Sequence, residues 1–256
     1  TCIMSKLSAH KAISGEEQEK GINKGGISIT PSDAKFYRID KDKVMRQIYG
    51  NKKFSYEEKN GKDYIQVDDS PYPHIEKIIL SNFTDPGKKE YLFVIMEYIG
   101  MKNYDIKLYL FDDKMRLLSR GADVDSTQLS AEVIPLHCKK DKLTYIFYSG
   151  RGCVNGGYCS DGGLLLLKHD GDKFAVVQNV LITSTDSMHT LKGNELMVYL
   201  PKGVDKSYVC DGIPGGACMY KFDIYENWKP LAFIYSHKLV FNEDTCEFED
   251  TRGGLG

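Results

Sequence analysis

The chain holds a single tryptophan, Trp228, among 256 residues, and almost no net charge: 34 basic against 36 acidic side chains leave −2 at neutral pH. So close a balance gives no global field to draw nucleic acid or an anionic membrane. Long hydrophobic runs are missing too. The longest aliphatic block, GGLLLLKH at 162–169, is strand-sized and far short of the ~18 apolar residues that span a bilayer. No secretory h-region is present, and no transmembrane segment is expected.

Catalytic and metal signatures are absent from the sequence as well. There is no H-E-x-x-H and no C-x-x-C, and FYSGRGC around Ser149 lacks the first glycine of a G-x-S-x-G elbow. None of the six histidines has metal-ligand spacing; His169, on a hairpin turn, is expected to be solvated. His137 and Cys138 are adjacent strand residues, which would point to opposite faces. No cofactor is expected: the acidic patches lack the glycine and distal glutamate of an EF-hand loop, and Asp123 and Asp125 are the pair best placed to take calcium from a loop. Asn82-Phe83-Thr84 matches a glycosylation acceptor.

What is abundant points to strands. Seventeen tyrosines and 11 phenylalanines suit a pleated surface. From about residue 52, short apolar-alternating runs are separated by turn signals such as Asn60-Gly61 and Asp170-Gly171, while helical periodicity nearly vanishes. Three runs, KEYLFVIMEYIG, DKLTYIFYSG and NELMVYLPKG, start at Lys89, Asp141 and Asn194, and each is followed by a loop and two further strand-like runs, the last set including CMYKFDIYEN at 218–227. With a looser strand before each, they make four-stranded antiparallel units at about 74–125, 131–182 and 183–240, near propeller-blade length. Residues 28–70 would hold a degenerate further copy. An all-β, propeller-like array is the expected fold, with a β-sandwich as the alternative. Ahead of it, residues 1–27 are polar and aperiodic and are expected to be a flexible leader or tether. A short helical element is expected nearby, with Ser32 or Asp33 as its cap and Val44, Gln47 and Ile48 on one face, although KFYRI alternates like a strand.

Seven cysteines complete the inventory. Cys153–Cys159 and Cys210–Cys218 fall in the same inter-strand loop of successive units. Their spacing is too wide for a zinc knuckle, and SDGGLLLL leads into a strand where a phosphate loop would lead into a helix. Both pairs are expected to staple hairpin tips, leaving Cys138 and Cys246 as a third bridge and Cys2 as a lipid-attachment candidate. Disulfides place a protein in the periplasm, on the cell surface or outside the cell. Arg151, Asn155, Tyr158 and Asp161 on one loop and Tyr208, Asp211 and Ile213 on the next form the expected partner-binding patch, by the logic of a fixed scaffold with decorated tips. The resulting expectation is a non-enzymatic extracytoplasmic protein that binds another protein, such as a secreted inhibitor or a toxin-immunity lipoprotein. A secreted or periplasmic hydrolase, or a carbohydrate-binding module using a cleft between sheets, is the alternative; the lone tryptophan favours the first.

Overall fold

The computed structural model describes residues 21–22, 25–59, 62–67, 73–100, 103–121, 130–154, 158–183, 188–201, 208–209, 219–220, 225–226, 229–230 and 233–250. Most of these lie in antiparallel sheets, as the alternating runs require. The first sheet contains β1 (Ile27–Ile29), β2 (Phe54–Lys59), β3 (Lys62–Val67), β4 (Pro73–Ser81), β5 (Glu90–Gly100), β6 (Asn103–Phe111) and β7 (Leu117–Arg120), in the order β2-β3-β4-β5-β6-β7 with β1 paired to β4. Of residues 28–70, expected as a degenerate further copy, β1, β2 and β3 extend this sheet instead. The leader is tied down at its end: Ile22 is buried, and a Cβ on Gly25 would come within 2.9 Å of the Pro135 carbonyl oxygen.

Residues 31–49 are helical rather than extended. A 3₁₀ helix (Pro31–Tyr37) takes in the KFY segment that alternates like a strand. Helix α1 (Lys41–Tyr49) follows, its N-cap being Asp40, whose side chain accepts from the Lys43 N–H at 3.0 Å. Val44, Met45 and Ile48 form its buried stripe; Gln47 lies outside it and does other work.

Next come β8 (Ser130–Cys138), β9 (Leu143–Val154), β10 (Tyr158–Asp170) and β11 (Lys173–Thr183), a four-stranded meander closed by the Asp170↔Lys173 turn. They are followed by β12 (Met188–Lys192), β13 (Glu195–Pro201), β14 (Tyr208–Val209), β15 (Met219–Tyr220), β16 (Tyr225–Glu226), β17 (Lys229–Pro230), β18 (Phe233–Asn242) and β19 (Glu247–Asp250). The third sheet is β12-β13-β18-β19. The second ladder partner of β13 is thus β18 and not the 218–227 run. Of that run, β15 joins the edge of the second sheet, parallel to β11 and paired with β14, and β16 pairs with β17.

The sheets stack in layers. α1 and the 3₁₀ helix cover one face of the first sheet through Ala34, Val44, Met45 and Ile48 against Ile75, Ile78 and Phe93. Its other face, with Leu92, Val94, Leu108 and Leu110, packs on Ile146, Leu165, Leu167 and Phe174 of the second sheet. Leu164, Leu166, Tyr145 and Phe147 on the second sheet's opposite face meet Leu196, Phe241 and Phe248 of the third. Each such fully buried side chain contributes about 1.5–3 kcal/mol.

Polar contacts join the layers at one end, where the connections are tight turns. The Thr144 N–H donates to the Asn82 carbonyl at 2.8 Å, and the Lys139 N–H to that of Glu243 at 2.7 Å. Asn82 is buried, its amide donating to the Lys142 carbonyl, so the folded chain leaves no room for a glycan on the Asn-Phe-Thr site. Two glutamines complete edge strands. The Gln47 amide donates to the Met115 carbonyl at 2.6 Å and accepts from the Leu117 N–H at 2.9 Å; Gln178 does the same with the Phe248 carbonyl and N–H, at 2.9 and 2.8 Å. At this end, too, Cys138 at the close of β8 is bridged to Cys246 in the β18–β19 turn, with Cα atoms 5.2 Å apart.

That bridge spans a sequence separation of 108, which in the chain-entropy relation is worth about 4–5 kcal/mol. Cys138→Ala combined with Cys246→Ala should lower unfolding free energy by roughly 3–5 kcal/mol in a urea titration. A loss below 1 kcal/mol would show that the bridge does not constrain the unfolded chain.

Candidate functional site

The strands flanking the predicted binding loops meet at the end of the second sheet opposite its tight turns. In the β9–β10 ladder Cys153 is the direct partner of Cys159, Arg151 of Asp161, and Val154 of Tyr158. Directly opposed antiparallel residues have Cα atoms ~4.5–5.5 Å apart, inside the range a disulfide accepts. The β14–β15 hairpin, with Tyr208 opposite Tyr220 and Val209 opposite Met219, is carried to the same end because Met219 and Tyr220 pair with Ile182 and Thr183 at the far end of β11. Backbone register therefore places the β9–β10 hairpin and the β14–β15 pair on one sheet. Cys2, Asp123, Asp125, Asn155, Cys210, Asp211, Ile213 and Cys218 lie outside the described residues.

A second concave feature lies at the tight-turn end. A cleft of about 700 Å³ is lined by the β4–β5 turn (Thr84, Lys88, Lys89), the β6–β7 turn (Asp112, Arg116) and the β10–β11 turn with His169. Contrary to the solvated side chain expected of a hairpin turn, His169 is 8% exposed. Strand alternation explains this: it continues the Leu165–Leu167 row that faces the first sheet, and its ring meets Phe174 edge-on at 5.3 Å between centroids. Nε2 is buried with no hydrogen-bond partner.

Two more buried polar residues face the same seam. Ser119 is opposite Leu110, a member of the seam's core, and its hydroxyl also has no partner. Glu90 is 1% exposed and accepts from the Phe83 N–H at 2.7 Å, the Thr84 N–H at 2.8 Å and the Thr84 hydroxyl. An acid, an imidazole and a hydroxyl thus share one seam, but the carboxylate is spent on closing its own turn and does not orient the imidazole. The arrangement is not a nucleophile–base–acid relay. Its signal in the sequence was the odd-numbered row Leu165, Leu167, His169, which puts the histidine on an apolar face.

Among the described residues, one group of three ligand-type side chains has its ligand atoms within 4.8 Å of one another: Cys138, Asp141 and Cys246. The two sulfurs bond each other, and the Asp141 carboxylate accepts from Lys168 Nζ at 2.6 Å, the Tyr145 hydroxyl at 3.0 Å and the Leu143 N–H at 3.1 Å. With the thiols consumed and the carboxylate engaged, the cluster is structural. The chain matches no known protein family, no curated protein and no solved structure.

Burial lowers the affinity of His169 for a proton, against the opposing pull of Glu90, Asp170 and Asp172; burial does the same at His137, opposed by Glu243 and Asp141. A folded-state value below the unfolded one means that the unfolded chain binds more protons as pH falls from about 6.5, so stability drops there. Urea unfolding at pH 7.5 and 5.5 should show that loss in the native chain and a smaller loss in His169→Leu. Equal pH dependence in both proteins would rule out a contribution from His169.

Proposed function

We propose that this chain is a non-enzymatic binding protein whose partner, another protein, docks on the loop end of the second sheet. One observation carries the reading: register brings the 151–161 hairpin and the 208–220 hairpin to the same end of one sheet. Function concentrates on loops held by a rigid scaffold, and here the opposite end is closed by tight turns and cross-layer hydrogen bonds. We take Cys153–Cys159 as a cross-strand disulfide. Cys210 and Cys218 follow and precede the paired residues Val209 and Met219 in sequence, and we take them as a second loop disulfide. Arg151, Asn155, Tyr158, Asp161, Tyr208, Asp211 and Ile213 are the proposed contact residues.

Three disulfides in one chain belong to an oxidising compartment, so the proposed setting is periplasmic, cell-surface or secreted, with Cys2 as an optional lipid tether. Within that setting an inhibitor or an immunity protein for a toxic hydrolase fits best. The layered meanders are consistent with a propeller-like array whose successive units cover one another's apolar faces.

Non-reducing peptide mapping should recover three crosslinked pairs, 138–246, 153–159 and 210–218. In a pull-down from the source organism, wild type should capture a partner that is lost when 151–161 and 208–218 are both replaced by Gly-Ser. Free thiols at 153 and 159, or capture unchanged by the loop replacement, would refute the reading.

A further inference from the structure

The molecule closes its sheet edges unevenly. Gln47 completes β7 and Gln178 completes β19, but among the described residues the outer edge of β2 has no such cap. We propose that this edge is a self-association surface, on which β2 of a second copy of the chain pairs antiparallel about a twofold axis at Ser55.

Hairpin geometry identifies the open groups. Lys59 and Lys62 flank a two-residue connection, which makes them a hydrogen-bonded pair. Alternation then gives Glu57 and Ser55 the bonds to β3, and turns the backbone N–H and C=O of Phe54, Tyr56 and Glu58 outward. Among the described residues no other strand pairs with that side of β2. Helix α1 leaves room beside it: a concavity of about 510 Å³ lies between Asp42 and Arg46 of the helix and residues 50–54. An added strand on such an edge gains a ladder of main-chain hydrogen bonds.

Charge then selects the occupant and its register. Outward-facing residues pair only with outward-facing residues, so the candidate twofold registers differ by whole steps of the pleat. With the axis at Ser55, exposed Lys53 stands opposite Glu57 of the second copy, and by symmetry this pair occurs twice. The same register sets Phe54 opposite Tyr56 of the second copy on the helix-covered face, where both rings are half-buried. The neighbouring registers are worse. An axis at Tyr56 puts Lys53 opposite Lys59, one at Glu57 sets two glutamates against each other, and one at Phe54 pairs no opposite charges. Charges on an edge strand ordinarily deter pairing, whereas here one register turns them into attraction. The contact uses the same surface on both chains, so assembly closes at a dimer.

Sedimentation velocity of the intact chain over a concentration series should show a reversible monomer–dimer equilibrium. Lys53→Glu and Glu57→Lys should each weaken it roughly tenfold, because like charges then face each other twice. Mixed in equal amounts, the two variants should form a heterodimer, since every facing pair is then of opposite sign. Both positions are exposed, and an unchanged far-ultraviolet circular dichroism spectrum reports that each variant is folded. In a Cys2→Ser background, Ser55→Cys should crosslink two chains on oxidation, because residues facing each other at the axis have Cα atoms about 4.5 Å apart, within disulfide range. Replacement of the 151–161 and 208–218 loops should leave the dimer intact, so failure here and failure of the loop reading are separable. The proposal falls if the chain is monomeric throughout, if charge reversal leaves the dimer unchanged, if the mixed variants do not associate, or if Ser55→Cys crosslinks no more than its Cys2→Ser parent.

Discussion

Everything in this molecule depends on one strand being buried on both sides. Leu164, Leu165, Leu166 and Leu167 alternate across the second sheet, so that Leu164 and Leu166 enter the core shared with the third sheet, and Leu165 and Leu167 the core shared with the first. A strand with one wet face would carry polar residues at every second position. Four consecutive leucines exclude that, and oblige the chain to provide a covering layer on each side. The first and third sheets are those layers, and α1 with the 3₁₀ helix then covers the face the first sheet would otherwise expose.

Stacking by apolar contact alone leaves the layers free to slide, because hydrophobic burial is non-directional. Register between layers comes from a few directional contacts. Gln47 and Gln178 each present an amide that reproduces the donor and acceptor of a missing neighbouring strand, the first from a helix and the second from the adjacent sheet. An edge strand completed in this way no longer offers a row of open groups to another chain. Ser81, Asn82 and Thr144 fix the first two layers, and the Cys138–Cys246 bridge fixes the second to the third.

The architecture was legible wherever one local rule governed. Alternation and the Asp-Gly and Asn-Gly turns marked the strands, and the Lys59↔Lys62 and Asp170↔Lys173 pairs close their ladders around two-residue connections at those dipeptides. The bridge between Cys138 and Cys246 was reachable by elimination once the other cysteines had been paired within loops. Long-range choices were not legible. β13 has comparable apolar partners in 219–226 and 233–242, and tertiary packing of Phe241 and Phe248 on Phe147 decides for the latter. His169 was missed for a related reason: a turn position suggests solvent, whereas the face of the strand leading into it is set by the leucines before it. Gln47 was placed on the buried stripe of α1 by spacing, but its amide is needed at the edge of β7.

The two kinds of cysteine loop do different physical work, and the difference separates stability from recognition. A crosslink over 108 residues restricts the unfolded chain strongly, while one over six or eight is worth roughly 2–3 kcal/mol in the same relation. The strands flanking the short loops end opposite the turns that lock the layers together. Their proposed bonds therefore add little to holding the stack and mostly remove conformations from the two loops. A tip ordered beforehand loses less entropy when a partner binds, which raises affinity without any new contact. The tight-turn end can then keep buried polar atoms unpaired at His169 and Ser119, because the surrounding layers over-determine their positions. Rigidity supplied by the stacked leucines lets the tight-turn end hold groups that a less constrained sheet would turn towards water.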